Sequence, residues 1–191
     1  MIPHFVKLQL YKSVVRPNVE YSSQVWSPHY KQDIKQVESV QRGMTRFIVQ
    51  NSDISYTDRC KQLNLLPLSY RREVMDLAFL YKYLQGDIDV CFDNDVSFVN
   101  ADSGRRSSSH GPKLYHANRA RTETYECSYF NRIVSLWNKL PSTIRNCDSL
   151  FSFKAALNEH YCSKVDKYDI DNPCTWTSVC RCSTCLASQS Y

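Results

Sequence analysis

The stretch KQDIKQVESVQRGMTRFIVQ, residues 31–50, decides the fold class because its pattern fits a long amphipathic helix. At about 100° per residue, its apolar side chains gather on one side of such a helix. These apolar residues are Val37, Val40, Met44, Phe47 and Ile48, with Ile34 at the edge. On the opposite side, four cations form a narrow cationic stripe: Lys31, Lys35, Arg42 and Arg46. The stretch therefore predicts a helix with one buried apolar face and one cationic face.

The cationic stripe has two interpretations at this point. A row of cations along one helix edge is typical of a surface that follows the phosphates of a nucleic acid. The same row is also typical of an ordinary solvated helix face. The formal net charge of +5 is compatible with a polyanionic partner and does not require one.

Helical spacing of apolar residues recurs on both sides of this stretch. Phe5, Leu8, Tyr11 and Val15 predict a helix that ends before Pro17, where a second helix begins and runs to about Trp26. Further helices are predicted at about 56–63, from Pro67 to a C-terminal glycine at Gly86, within 124–140, and from Ser149 onward. A short strand is predicted around 113–116.

These elements predict a mainly α fold. Glycine is scarce, with 4 residues in 191, which disfavours a turn-rich all-β fold. The predicted organisation is a helical bundle followed by a second small helical region, with at most a short β-hairpin in between. The boundaries follow composition: a helical region at 1–86, an acidic then Ser/Arg-rich linker at 87–112, a second helical region at 113–165, and a cysteine-rich tail at 166–191.

The tail CTWTSVCRCSTC, residues 174–185, holds a candidate metal site. Cys174, Cys180, Cys182 and Cys185 supply four thiolates, enough for a tetrahedral zinc ion. The pair Cys182/Cys185 has ordinary zinc-knuckle spacing, whereas Cys180 and Cys182 are closer than usual. A thiol-rich tail without metal is the alternative interpretation.

The sequence also predicts a location. Neither a secretory h-region at the N-terminus nor a run of about 18 apolar residues is visible, so no secretion and no membrane association are expected. Nine cysteines in such a chain are expected to be reduced thiols in the nucleus or cytoplasm.

Two long blocks resemble the reverse transcriptases of non-LTR retrotransposons of the jockey-like and related groups. The first is LYKSVVRPNVEYSSQVWSPHYKQDIKQVESVQRGMTRFI, residues 10–48, and the second is YFNRIVSLWNKLPSTIRNCDSLFSFKAAL, residues 129–157. Matching positions in the first are Tyr11, Val15, Arg16, Pro17, Glu20, Tyr21, Trp26, Pro28, Glu38, Gln41, Arg42 and Arg46. In the second they are Phe130, Arg132, Trp137, Asn138, Leu140, Pro141, Phe153, Lys154 and Leu157. The likeness covers roughly residues 4–162.

This resemblance implies a thumb-like helical region and a helical C-terminal region, which in that family follow the catalytic palm. The implied partner is RNA or an RNA–DNA hybrid, with neither a small-molecule substrate nor a membrane. The family's palm holds its metals, Mg²⁺ in the parent polymerase, with carboxylates that include an Asp-Asp turn, and this sequence contains no Asp-Asp dipeptide.

The expectation is therefore a noncatalytic fragment of an endonuclease/reverse transcriptase. It has no cofactor of its own, apart from a possible zinc ion at the tail. An inert retrotransposon relic and a zinc-dependent interaction module are the alternatives.

Overall fold

The computed structural model describes residues 2–51, 53–90, 96–98, 114–116 and 122–177. The fold is mainly helical, which confirms the predicted fold class. Its α-helices are α1 (His4–Leu10), α2 (Arg16–Glu20), α3 (Ser23–Trp26), α4 (Lys31–Val49), α5 (Tyr56–Gln62), α6 (Leu68–Leu84), α7 (Glu123–Glu126), α8 (Tyr129–Lys139), α9 (Ser142–Arg145) and α10 (Leu150–Cys162). A π-helical turn spans Tyr11–Val15, and 3₁₀ turns span Val165–Lys167 and Pro173–Thr175.

The chain divides into two compact units. The first comprises Met1–Glu73 with Glu159–Tyr191, and the second comprises Val74–Asn158. Helices α6 and α10 each contribute residues to both units. The predicted region boundaries at residues 86, 112 and 165 were drawn from composition alone and stay a prediction.

The N-terminal helix corrects the predicted break at Pro17. The backbone stays helical from His4 to Glu20, because the π-helical turn Tyr11–Val15 joins α1 directly to α2. Proline has no backbone N–H and its ring crowds the preceding turn of an α-helix, so a wider π turn at this place accommodates it. The helical path ends instead near Ser22, which has a left-handed φ of 53°.

Helix α4 begins at Lys31 as predicted but turns a different face inward. Its buried residues are Glu38, Gln41, Thr45, Ile48 and Val49. Val40 and Phe47, predicted as core residues, are 36% and 54% exposed. Ile48 is buried as predicted, but the prediction for Val40 and Phe47 was wrong because it used apolar spacing alone, whereas polar side chains are buried here with hydrogen-bond partners.

The first unit also contains two groups of buried apolar and aromatic side chains. Tyr11, Ile48 and Leu65 form a buried cluster, and Leu8, Val15, Met44 and Leu63 pack against it. Phe5, predicted to point inward with them, is 73% exposed. Three tyrosines form a second buried group, with ring centroids 5.4 Å apart for Tyr70 and Tyr161 and 5.3 Å apart for Tyr70 and Tyr168.

Two helix ends follow the local sequence rules closely. Ser55 caps α5, because its hydroxyl accepts a hydrogen bond from the backbone N–H of Asp58 at 3.1 Å. Gly86 follows α6 with a φ of 76°, and the N–H groups of Gly86 and Asp87 bond the carbonyls of Tyr83 and Lys82. This pair of hydrogen bonds is the Schellman motif, and it confirms Gly86 as the predicted C-terminal glycine.

The second unit has a core of apolar and aromatic side chains. Helical spacing predicts an inward stripe of Phe130, Ile133, Val134 and Trp137 on α8; the last three are buried, and Phe130 is half-buried. The Phe153 ring stacks on Tyr81 with centroids 4.3 Å apart and lies 6.1 Å from Trp137. Strands β1 (Val96–Phe98) and β2 (Leu114–His116) pair antiparallel, with Ser97 opposite Tyr115. The second strand falls where the sequence predicts one.

Across the described residues, none of the helices is both long and apolar enough to cross a lipid bilayer.

Candidate nucleic-acid interface

A chain of buried hydrogen bonds holds the inner face of α4. The hydroxyl of Tyr11 donates to Gln41 Oε1 at 2.6 Å. The amide nitrogen of Gln41 lies 2.9 Å from both the Tyr56 hydroxyl and the Leu66 carbonyl oxygen. The Tyr56 hydroxyl in turn donates to a carboxylate oxygen of Glu38. Burial raises the pKa of Tyr11 and of Tyr56, so both hydroxyls remain donors at neutral pH.

Glu38 ends this network at the first turn of α6. Its carboxylate accepts the backbone N–H groups of Leu68 at 3.0 Å and of Ser69 at 3.3 Å. A carboxylate at this place satisfies donors that a helix leaves unpaired and complements its dipole. Burial raises the pKa of Glu38, and the hydrogen bonds from Tyr56 and Leu68 act against that rise. The network therefore fixes the rotation of α4 about its own axis.

That rotation sets where the cationic stripe lies. Lys31, Lys35 and Arg46 are exposed, and Arg42 is half-buried. The four positions span about 60° around the helix axis, next to the buried face and not opposite to it. The structure thus keeps the stripe together on one solvent-facing edge, but its predicted position relative to the core was wrong.

Lys35 has partners within the first unit. Its ammonium group lies 3.0 Å from an Asp171 carboxylate oxygen, and it sits 5.9 Å from the centre of the Trp176 ring. The Lys35 and Asp171 side chains are 46% and 82% exposed, so the pair contributes little, about 0–1 kcal/mol. Lys31, Arg42 and Arg46 form no ion pair with any residue that the structure describes.

Arg59 on α5 adds a cation that sequence reasoning missed. It is 2% exposed, its Nε donates to the Thr45 hydroxyl at 3.4 Å, and its Nη1 donates to the Ile54 carbonyl. Burial lowers the pKa of Arg59, and the positive charges of Arg46 and Arg42 lower it further. No spacing rule marks a buried arginine, so only the packing of α5 on α4 reveals it.

A second ion-pair group joins α2 to the first turn of α6. Arg71, in the first turn of α6, binds both oxygens of Glu20 at 2.7 and 2.9 Å, and Arg16 lies 3.7 Å from the same carboxylate. A cation in the first turn is unfavourable for the helix dipole, and Glu20 offsets that cost. Glu20, Glu38, Gln41 and Tyr11 are all buried, and their polar groups make hydrogen bonds or ion pairs within this unit.

The cysteine tail lies mostly outside the described residues. Cys174 is half-buried, and Cys180, Cys182 and Cys185 are not among the residues that the structure describes. Within the described ranges, His, Cys, Asp and Glu side chains form no group of three that could hold a metal ion. The zinc site therefore stays a prediction.

Comparison of the chain with models of protein families, with curated proteins and with solved structures finds no match.

Proposed function

We propose that this chain is the noncatalytic thumb and C-terminal part of a non-LTR retrotransposon reverse transcriptase, and that it binds primer–template nucleic acid through phosphate contacts. The observation that carries the proposal is the cationic stripe, held on one solvent-facing edge of α4 by the buried network of Glu38, Gln41 and Tyr56. The two blocks of resemblance, residues 10–48 and 129–157, supply the family.

The stripe suits the binding of a phosphate backbone. Lys31 and Lys35 are one helical turn apart, as are Arg42 and Arg46, so the members of each pair are offset by about 6 Å along the axis. Cations in such a row contact successive phosphates and read no base sequence. Binding is therefore tolerant of sequence and depends steeply on salt, because each phosphate contact releases counterions.

The proposal assigns no catalytic step to this chain. Nucleotide transfer in the parent polymerase needs convergent carboxylates that hold Mg²⁺, and the resemblance places these in a palm that the two matching blocks do not include. The chain would hold the duplex while the palm does the chemistry. Metal-dependent incorporation of nucleotides by the purified chain would contradict this division.

A titration of a fluorescent RNA–DNA hybrid tests the proposal. Three cations without an ion-pair partner in the described part of the chain, Lys31, Arg42 and Arg46, predict that affinity falls roughly 20- to 40-fold between about 50 and 200 mM salt. A variant with all four stripe residues changed to glutamine is expected to lose most of the binding and most of the salt dependence.

A control variant keeps the change in charge the same. Four cations outside the stripe, at Lys12, Lys82, Lys139 and Lys167, are changed to glutamine instead. We expect this control to lose little affinity. Equal losses in the two variants would mean that net charge, and not the stripe, attracts the nucleic acid.

Exposed apolar side chains favour a second candidate, an inert relic that associates with itself. Phe5, Leu10, Val14 and Val25 are between 50% and 84% exposed in the first unit. Apolar surface of this kind promotes association when no partner covers it. Sedimentation over a wide range of protein concentration tests this candidate, and a monomer with cooperative unfolding would contradict it.

A further inference from the structure

Arg59 presents an electrostatic problem that the described residues do not solve. Fully buried arginines are rare unless they are paired with an anion, because removing the charge from water is costly. Arg59 is 2% exposed, and none of the described carboxylates forms an ion pair with it. Its two hydrogen bonds to described residues go to neutral oxygens, the Thr45 hydroxyl and the Ile54 carbonyl.

The surroundings of Arg59 add positive charge. Thr45, which accepts the hydrogen bond from Arg59, lies on α4 between Arg42 and Arg46, and its own hydroxyl donates to the Arg42 carbonyl at 3.1 Å. The pKa of Arg59 is lowered by burial and then by the charges of Arg46 and Arg42, so both of these guanidinium groups repel that of Arg59. Arg46 is exposed and Arg42 is half-buried, which leaves both within reach of a ligand from solvent.

We propose that Arg42, Arg46 and Arg59 form a binding site for one phosphate group, with Arg42 and Arg46 in direct contact and Arg59 supplying charge from beneath. Guanidinium groups suit this ligand because their paired N–H groups match the oxygens of a phosphate. The biological role of this site rests on the proposed function. The site adds to that function one firmly bound phosphate, distinct from the weaker phosphate contacts of Lys31 and Lys35. The ligand chemistry is a phosphate oxyanion, either in a nucleic-acid backbone or free in solution.

Inorganic phosphate alone tests the site without any nucleic acid. Thermal unfolding of the full chain is followed as phosphate is added, with sodium chloride adjusted to keep the ionic strength constant. We expect the midpoint temperature to rise with phosphate and to saturate, as for a ligand that binds only the native state. The double variant R42Q/R46Q is expected to bind phosphate at least about tenfold more weakly, because charge-assisted hydrogen bonds are lost.

Two further variants keep the test decisive. The matched double variant K31Q/K35Q removes the same charge from the same helix and is expected to retain phosphate binding within about twofold. Arg59→Met is expected to weaken phosphate binding by a smaller factor than R42Q/R46Q does, and if this variant does not fold, the comparison of the two double variants still decides.

The results separate this site from the proposed function. A saturable effect of phosphate that R42Q/R46Q loses and K31Q/K35Q keeps supports the site, even if the RNA–DNA hybrid fails to bind and the proposed function falls. Absence of a phosphate effect, or equal losses in both double variants, overturns the site, even if the hybrid binds along the whole stripe.

Discussion

The inner faces of α4 and α8 are both buried, but they are built from different chemistry. On α4 the buried residues include Glu38, Gln41 and Thr45, and directional hydrogen bonds hold the helix in place. On α8 the buried face is dominated by Ile133, Val134 and Trp137, which fill space among other apolar groups. Directional bonds fix the rotation of a helix, so α4 is suited to aim charged side chains in one direction. Packing fixes volume and is more tolerant of small adjustments.

The largest effect is expected when the polar face loses its central acceptor. Glu38→Ala leaves the Tyr56 hydroxyl and the N–H groups of Leu68 and Ser69 without their partner. We expect the free energy of unfolding to fall by about 4 kcal/mol, since each orphaned buried donor costs about 1–3 kcal/mol. Urea denaturation measures the loss. Glu38→Gln, which keeps one acceptor oxygen, should lose about half as much, and equal losses would argue that packing alone matters here.

A somewhat smaller effect is expected on the apolar face. Trp137→Ala removes a ring that is 2% exposed and lies 6.1 Å from the ring of Phe153. We expect a loss of about 3 kcal/mol from the cavity and the lost contacts, measured by the same denaturation. Trp137→Phe, which refills most of the space, should recover the larger part. If Trp137→Phe is as damaging as Trp137→Ala, α8 depends on a specific interaction after all.

The smallest expected effect is a change in the free energy of unfolding with pH, caused by Glu38 on the buried polar face of α4. Burial raises the pKa of Glu38 above its usual 4.5, so between pH 4.5 and that raised pKa the native state holds a proton that the unfolded chain has released. The contribution of Glu38 to stability is therefore full below about pH 4.5 and is lost as pH rises through its folded-state pKa. Hydrogen bonds from Tyr56 and Leu68 to the charged form limit the size of this loss.

Denaturation of the wild type and of Glu38→Gln across pH 4 to about 8 isolates this term, because other carboxylates contribute equally to both. The stability advantage of the wild type over the variant should shrink as pH rises. An advantage that stays constant or grows with pH would mean that Glu38 is ionised throughout this range.

Local chemistry explains which parts of the fold could be predicted from sequence. The cap at Ser55, the turn at Gly86 and the apolar stripe of Ile133, Val134 and Trp137 depend on residues close together in the chain. Spacing rules describe such features well, because every necessary partner lies within a few positions.

The polar features could not be predicted in the same way. Glu38 and Gln41 are buried because Tyr11, Tyr56, Leu66 and Leu68 reach them from positions 15 to 30 residues away. A spacing rule treats both as solvent-facing, and the predicted inner face of α4 was therefore rotated away from the observed one, although both include Ile48. The burial of Arg59 was not predicted for the same reason, since it depends on a neighbouring helix. The grouping of the four cations of the stripe on one edge of α4 was predicted correctly, because it depends only on the period of an α-helix, about 3.6 residues.

The number of residues in the π-helical turn Tyr11–Val15 determines how the preceding helix is rotated. Deleting one residue from this turn would return it to ordinary α-helical spacing and rotate everything before it by about 100°. Lys7, which now lies 4.6 Å from the centre of the Phe47 ring, would swing away from α4. The deletion of a single residue from this turn would therefore remove the contact between the first helix and α4, even though every remaining side chain was chemically unchanged.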